Sequence, residues 1–493
     1  MTTFATHKPD LLSARMTLPS RAPIHPSPRP LHWLPLLYTL AASTAMPRSE
    51  WNVREFGARG DGQTPDTAAI QKALDSAAAA GGGVVRIPPG RYLTGTLQLR
   101  SHITLVLEPG ARLVGTTNLD AYLHPAPPPD SPEARWGRWH RGLLIGENIE
   151  NVTIRGPGVI DGNRVSDPEG EEHMRGPHAL VFMHVRGLTL EDLTITDAGN
   201  YGLFFMASDD VTLRRVRFVG GWDGVHWRGT PGSPCRRVEI RDCEFETGDD
   251  AIAGRYWEQT LITGCSINSS CNGIRLIGPA RDLTIRNCHF FGPGRRPHLT
   301  SRERRRNNML AGILLQPGAW DPTEGILDQV WIVQNTMRNV AAPVALWTRP
   351  GNRAGRIVIQ SLDASGIYRA PLSLESWAPD PLDTVVLRNV RLEFTGKDPN
   401  SPTPETVSQP GVDVRPLPAW GLYARRIRQL SVEGLHLRTQ EPDPRPAATI
   451  ESVAHVALDE LDLPGPSART EALVLRDCAR VSGRDTPATV PAH

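Results

Sequence analysis

The chain has 493 residues, enough to bury a large core, and 54 Lys+Arg against 53 Asp+Glu leave it a formal charge of +1. That balance excludes a protein built mainly to grip nucleic acid, which needs a basic excess. Glycine and proline number 45 each, so many short elements and many corners are expected.

The first segment reads as an address. Arg21 and Arg29 precede an apolar stretch from Leu31 to Ala42, and small residues follow at Ser43 and Ala45. These are the parts of a secretory signal, so residues 1–46 are expected to be a leader and the protein secreted or periplasmic. The stretch is too short to span a bilayer, and no later segment reaches about 20 apolar residues. No membrane span is expected.

"QTPDTAAIQKALDSAAAAGGG" reads as a helix with Thr64 as N-cap, Pro65 in the first position and glycines at its end. Such a helix can cover the open end of a stack of strands.

The rest of the chain repeats. "LTLEDLTI" (188–195), "VTLRRVRF" (211–218), "VEIRDCEF" (238–245), "TLITGCSI" (260–267) and "LTIRNCHF" (283–290) share one pattern: two alternating apolar residues, a gap, then two more. Their starts are 23, 27, 22 and 23 residues apart, and further copies run on to "VALDELDL" at 456. A second short strand follows most copies, among them "DGVHW", "DAIAG", "NGIRLI" and "AGILLQ". Such strands cannot bury a core alone and must stack on their neighbours. The period is too short for a propeller blade, and helical periodicity is absent. A right-handed parallel β-helix over residues 47–482 is predicted, all-β with an N-terminal capping helix, followed by a disordered tail at 483–493.

Cys243, Cys265 and Cys288 hold one inward position in three successive coils and read as a ladder of buried thiols. A Cys265–Cys271 bridge remains open at this point. No second Cys or His lies at metal-ligand spacing, so neither metal nor cofactor is implied. A Pro- and Ser-rich stretch from Ser401 to Val414 reads as a loop, and "GRRPHLTSRERRRNN" (294–308) as an arginine-dense one that fences a cleft or is simply solvated.

The chemistry gathers at "CEFETGDDAIAG" (243–254). Aligning the second strands puts Asp223, Asp250 and Asn272 on one rung, with Asp249 one residue before Asp250. Three carboxylates on one exposed strip are costly, because like charges raise one another's pKa. Glycoside hydrolysis has a use for them: one acid protonates the leaving oxygen while an ionised partner activates water. The plain alternative is a series of turn-forming aspartates. By alternation His226, Arg228, Arg255 and Arg275 also face outward, with Trp347, Glu375 and Tyr423 further along. Aromatic faces and arginine forks suit sugars.

From about Val53 to Pro317 the chain resembles glycoside hydrolase family 28, the polygalacturonase-like β-helix enzymes. The resemblance lies in "FGARGDGQTPDTAAIQKALDSAAAAGGGVVRIPPGRYLTGTLQL", in "IGENIENVTIRGPGVIDGN" and in "GNYGLFF" (199–205) with Tyr201. The family's "NTDG" is matched as "GWDG", keeping Asp223, and its double aspartate as Asp249–Asp250. The resemblance implies Asp249 as general acid, and Asp223 and Asp250 as holders of the attacking water in an inverting reaction. Two motifs depart. The family's "GHG" is "CNG", with Asn272 for the histidine, and its uronate-gripping "RIK" is "LLQ", ending at Gln316. Both cationic contacts are therefore expected to be lost. Asn272, Arg275, His226, Arg255, Gln316 and Tyr201 are the candidates for a rebuilt sugar site.

The reading is thus a monomeric hydrolase of a pectic or related polysaccharide or oligosaccharide, inverting in stereochemistry. Two alternatives stand beside it. One is a carbohydrate-binding β-helix without catalysis. The other is a uronate lyase or epimerase, with the three aspartates holding calcium and His226 as base.

Overall fold

The gap in each repeat is a corner. In a computed structural model, which describes residues 49–125, 141–299, 306–396, 407–464 and 472–485, the gap residue is left-handed in copy after copy. Asp192 has φ 58°, Arg215 52°, Asp242 55°, Gly264 66° and Asn287 53°. One such residue interrupts the alternation and bends the chain, so the strands on both sides aim their apolar residues into one interior.

The copies then stack in register. Leu188 pairs with Val211, Val211 with Val238, Val238 with Thr260, Thr260 with Leu283 and Leu283 with Val330, every pairing parallel. The fold is the predicted right-handed parallel β-helix. Identical positions in successive coils meet inside it. Phe218 lies on Phe245 at 5.1 Å and Phe205 on Trp227 at 5.3 Å, both pairs stacked. Cys243, Cys265 and Cys288 are buried free thiols in that interior. Cys271 is also free, so the Cys265–Cys271 bridge does not form.

The N-terminal helix caps the first coil, but it starts later than its sequence suggests. It runs Thr67–Ala79 with Asp66 as N-cap, while Pro65 ends the strand Asp61–Pro65. Asp66 is drawn away from capping because its carboxylate accepts from the backbone N–H groups of Arg59 and Gly60, at 2.6 and 3.1 Å. Ile70, Ala73, Leu74 and Ala77 form the buried stripe, at helical spacing, that closes the stack.

The described residues belong to a unit that begins at Arg48. The expected leader at 1–46 lies outside them, as do the tail from residue 486 and parts of both predicted loops, 300–305 and 401–406. Among the described residues no helix is long and apolar enough to cross a membrane.

Candidate active site

The strands Val225–Arg228, Ile252–Arg255 and Asn272–Leu276 lie side by side in one sheet of the helix. Val225 pairs with Ile252 and Ile252 with Ile274. Asp223, Asp250 and Asn272, each two residues earlier, therefore share a rung as predicted. Backbone bonds continue the ladder there: Gly224 N–H donates to Asp250 O and Ala251 N–H to Asn272 O, both at 3.0 Å. One carboxylate oxygen from each of Asp223, Asp249 and Asp250 lies within 4.8 Å of the others. That is closer than the gap of about 6.5–9.5 Å expected for a water-spaced inverting pair.

The strip is not exposed. The side chains of Asp223, Asp250 and Asp249 are 5%, 6% and 14% accessible. Alternation correctly pointed these side chains away from the core, but it says nothing about what lies over them. Two apolar clusters cover the outward face on either side of the acids. One joins Ile145, Val181, Tyr201, Phe204 and Trp222, with Met174 packed against it. The other joins Ala311, Leu314, Ala345, Trp347 and Val414, with Trp377 packed against it. Arg228, Trp347, Glu375 and Tyr423 are accordingly buried too.

Each acid has its own partners. Asp223 Oδ2 is 2.6 Å from His226 Nδ1, and its Oδ1 accepts from Asp250 N–H at 3.1 Å. Arg228 Nε donates to His226 Nε2 at 2.8 Å. Since arginine can only donate, Nε2 is the acceptor and the ring carries its proton on Nδ1, facing Asp223. Both Asp223 oxygens are thus occupied as acceptors. Asp250 Oδ1 accepts from Asn272 N–H and Nδ2 at 3.0 and 2.8 Å, and its Oδ2 faces Arg275 Nη1 at 3.6 Å. Asp249 Oδ2 meets Arg175 Nη2 at 3.2 Å, and its Oδ1 meets His298 Nε2 at 3.3 Å.

Burial pushes the Asp223 carboxyl well above the usual range, and the charges of Asp249 and Asp250 add to the rise. Burial raises Asp250 as well, with Arg275 opposing. For Asp249 burial also works against the charge, but the His298 hydrogen bond, then the charges of His298, Arg175 and Arg275, outweigh it. Asp249 is held below the usual carboxylate range. Three neighbouring acids thus have divided protonation preferences, the condition for separate acid and base roles.

The predicted sugar-binding residues are all committed to protein partners. Tyr201 stacks on His226 at 4.7 Å and 10°. Arg255 Nη1 donates to Asp321 at 2.9 Å. Arg275 Nη2 donates to Val412 O at 2.8 Å, and its guanidinium lies 4.9 Å from the Trp320 ring centroid. With its amide oriented by hydrogen bonding, Gln316 accepts from Arg275 Nε at 2.7 Å and donates to Val412 O at 3.2 Å. Asn272 and Gln316 are fully buried.

The acids themselves have cationic neighbours, from residues outside the two departed motifs. Arg175 comes from the turn after Glu171–His173, and His298 from the arginine-dense loop. Trp320 is 56% exposed and its ring lies beside the Arg275 guanidinium, which itself faces Asp250. None of the three was singled out by its own sequence context; only the 294–308 loop pointed towards one of them.

The fold is a right-handed parallel β-helix, and the comparisons find its likenesses among polygalacturonases. Residues 51–119 match the family described as rhamnogalacturonase A/epimerase, pectate lyase-like, and residues 178–296 match the right-handed β-helix region. Over 251 residues the chain is 27% identical to a probable polygalacturonase of Vitis vinifera, covering 48% of each chain. It is 26% identical over 262 residues to an exo-poly-α-D-galacturonosidase of Dickeya chrysanthemi, covering 43% of this chain and 42% of that one. The chain thus spans about half the length of these curated relatives. The fold is also that of an exopolygalacturonase from Thermotoga maritima, with TM-score 0.56 and 19% identity over 78% of this chain and 92% of that one.

Proposed function

We propose that the protein is a glycoside hydrolase that attacks pectic or related saccharides with inversion, using Asp249 as acid and Asp223 with Asp250 as the water-holding base. The observation that carries this reading is the buried triad itself, three carboxylates on adjacent turns with one oxygen of each within 4.8 Å of the others. In the free protein the pKa directions favour the charge on Asp249 and a proton on Asp223 or Asp250, so the proposed roles require Asp249 to be supplied with a proton and Asp223 to be ionised when the bond is cleaved. Neither Asp223 oxygen is free of a donor, so Asp223 is better suited to steer a water than to attack a sugar carbon. Proton NMR of freshly released product tests the stereochemistry. An anomer opposite to the bond cleaved is expected, with the water held by Asp223 and Asp250 beside the acid rather than across the usual inverting gap. Retention, which the short spacing of the acids also suits, would make one aspartate a nucleophile and overturn the roles.

The packed apolar clusters on the coils to either side of the acids, and the burial of the acids themselves, support attack at chain ends or on short oligosaccharides. Two of the proteins it resembles are named for exo action. A calcium-dependent lyase is disfavoured, since a cation would have to displace Arg175 and Arg275 from Asp249 and Asp250. A purely sugar-binding role leaves the cost of burying three acids without a use. Export to the periplasm or medium, and action as a monomer, complete the reading.

Trp320 offers its open face to a sugar ring. Trp320→Ala is expected to raise KM by about tenfold with kcat nearly unchanged, the mark of binding shared by ground and transition states. Trp320→Phe should recover part of the loss. Kinetics on trigalacturonate read both, and an unchanged KM in the alanine variant would remove Trp320 from the sugar site.

A further inference from the structure

Asp249 sits between two cations of different character. Arg175 cannot release a proton, whereas an imidazole can. The His298 ring is buried, with Nε2 3.3 Å from Asp249 Oδ1. Its backbone is fastened at both sides. Asn268 Nδ2 donates to Phe291 O and Pro293 O at 2.7 and 2.9 Å, and Asn268 Oδ1 accepts from Arg295 N–H at 2.7 Å. His298 N–H donates to Arg306 O at 2.7 Å in an antiparallel bridge. The neighbouring coil and the bridge to Arg306 thus fix the backbone that carries the ring. On the strand itself, position 272 is an amide, bonded to Asp250 and without a proton to exchange.

We propose that His298 is a positioning residue for the hydrolysis: through Nε2 it orients the Asp249 carboxyl and stores the proton that Asp249 delivers. The inference rests on the hydrolase reading. In the proposed cycle the proton starts on Nε2 and Asp249 starts ionised. As the glycosidic C–O bond breaks, its electron pair passes to the leaving oxygen. The Nε2 proton of His298 passes first to Asp249, and the protonated Asp249 gives it to that oxygen, leaving the His298 ring neutral. The oxygen of the attacking water bonds to the anomeric carbon, and the water's proton passes to Asp223. Solvent then returns a proton to His298 and accepts the one on Asp223, closing the cycle.

The groups facing the pair fit this division. Asp223 and Asp250 lie beside Asp249, Arg175 and Arg275 bias it towards ionisation, and Arg306 lies at the bridge to His298. Cys271 Sγ is within 4.8 Å of the paired atoms. Burial, and then the charges of Asp250 and Asp249, push its thiol well up, so it stays neutral and does not compete for the role.

The test is His298→Gln, read first without substrate. In protein carrying ¹³C-labelled aspartate carboxyls, the Asp249 titration midpoint should rise by about one unit or more in the variant. On trigalacturonate, the alkaline limb of kcat/KM should move to lower pH, because the proton then sits on a carboxyl alone and leaves earlier. Added imidazole should restore rate to His298→Ala. A residue that only fills space would lower the rate without moving the limb. His298→Asn serves if the glutamine variant does not fold. An unmoved Asp249 midpoint overturns the role of His298 whatever the activity; a wild-type protein that cleaves no pectic oligosaccharide overturns the hydrolase reading instead, with the midpoint still measurable.

Discussion

Asp249→Asn is expected to lower turnover by roughly 10²- to 10⁴-fold, the usual worth of a positioned proton donor. An amide cannot pass a proton to the leaving oxygen, and Arg175 on the other side cannot replace it. The effect on stability follows from the depressed pKa. A carboxyl held lower in the folded than in the unfolded chain adds stability above its unfolded pKa and loses it as pH falls through the folded one. The variant should therefore melt below the wild type at neutral pH, and the two should converge in acid. From sequence alone, removing a repelling charge promised little change or a gain. The Arg175 and His298 contacts reverse that sign, because the variant leaves buried cations short of a partner. Kinetics on trigalacturonate and melting curves across pH check both parts. Near-normal turnover in a folded variant would falsify the acid assignment.

What the sequence made legible was whatever repeats. The rung shared by Asp223, Asp250 and Asn272 follows from spacing, because identical positions in successive coils must stack. The corner residues and the thiol ladder follow for the same reason. What did not repeat stayed hidden. Arg175 reaches Asp249 across 74 residues, from a turn outside the coil pattern, and His298 arrives from a loop whose dense arginine masked a single histidine. The outward direction of Glu375 and Trp347 was readable, yet their burial was not. Alternation fixes where a side chain points and leaves open which distant segment will fold over it.

Glu375→Ala is expected to release the segment that walls the downstream side of the acids. Glu375 is completely buried, and Arg415 grips both its oxygens at 3.0 and 2.7 Å. Trp377 Nε1 donates to the same carboxylate at 2.9 Å. The segment has lesser anchors, among them Arg349 to Gly411 O at 3.0 Å, Arg275 to Val412 O at 2.8 Å, and Val414 in the apolar cluster. Removing one partner of a buried ion pair costs about 3–5 kcal/mol, since the remaining charge is left without compensation. The coils beneath keep their own backbone ladders, so the loss should appear as local opening rather than global unfolding. Two measurements follow. Limited proteolysis should cut between residues 407 and 417 in Glu375→Ala under conditions that spare the wild type. Products from polygalacturonate should shift from single terminal sugars towards mixed oligomers, because an open face admits the middle of a chain. Glu375→Asp, with the charge kept and the reach shortened, should fall between the two. A variant with an equally protected segment and the same products would mean that the segment does not set where the chain is cut, and the chain-end reading would fall with it.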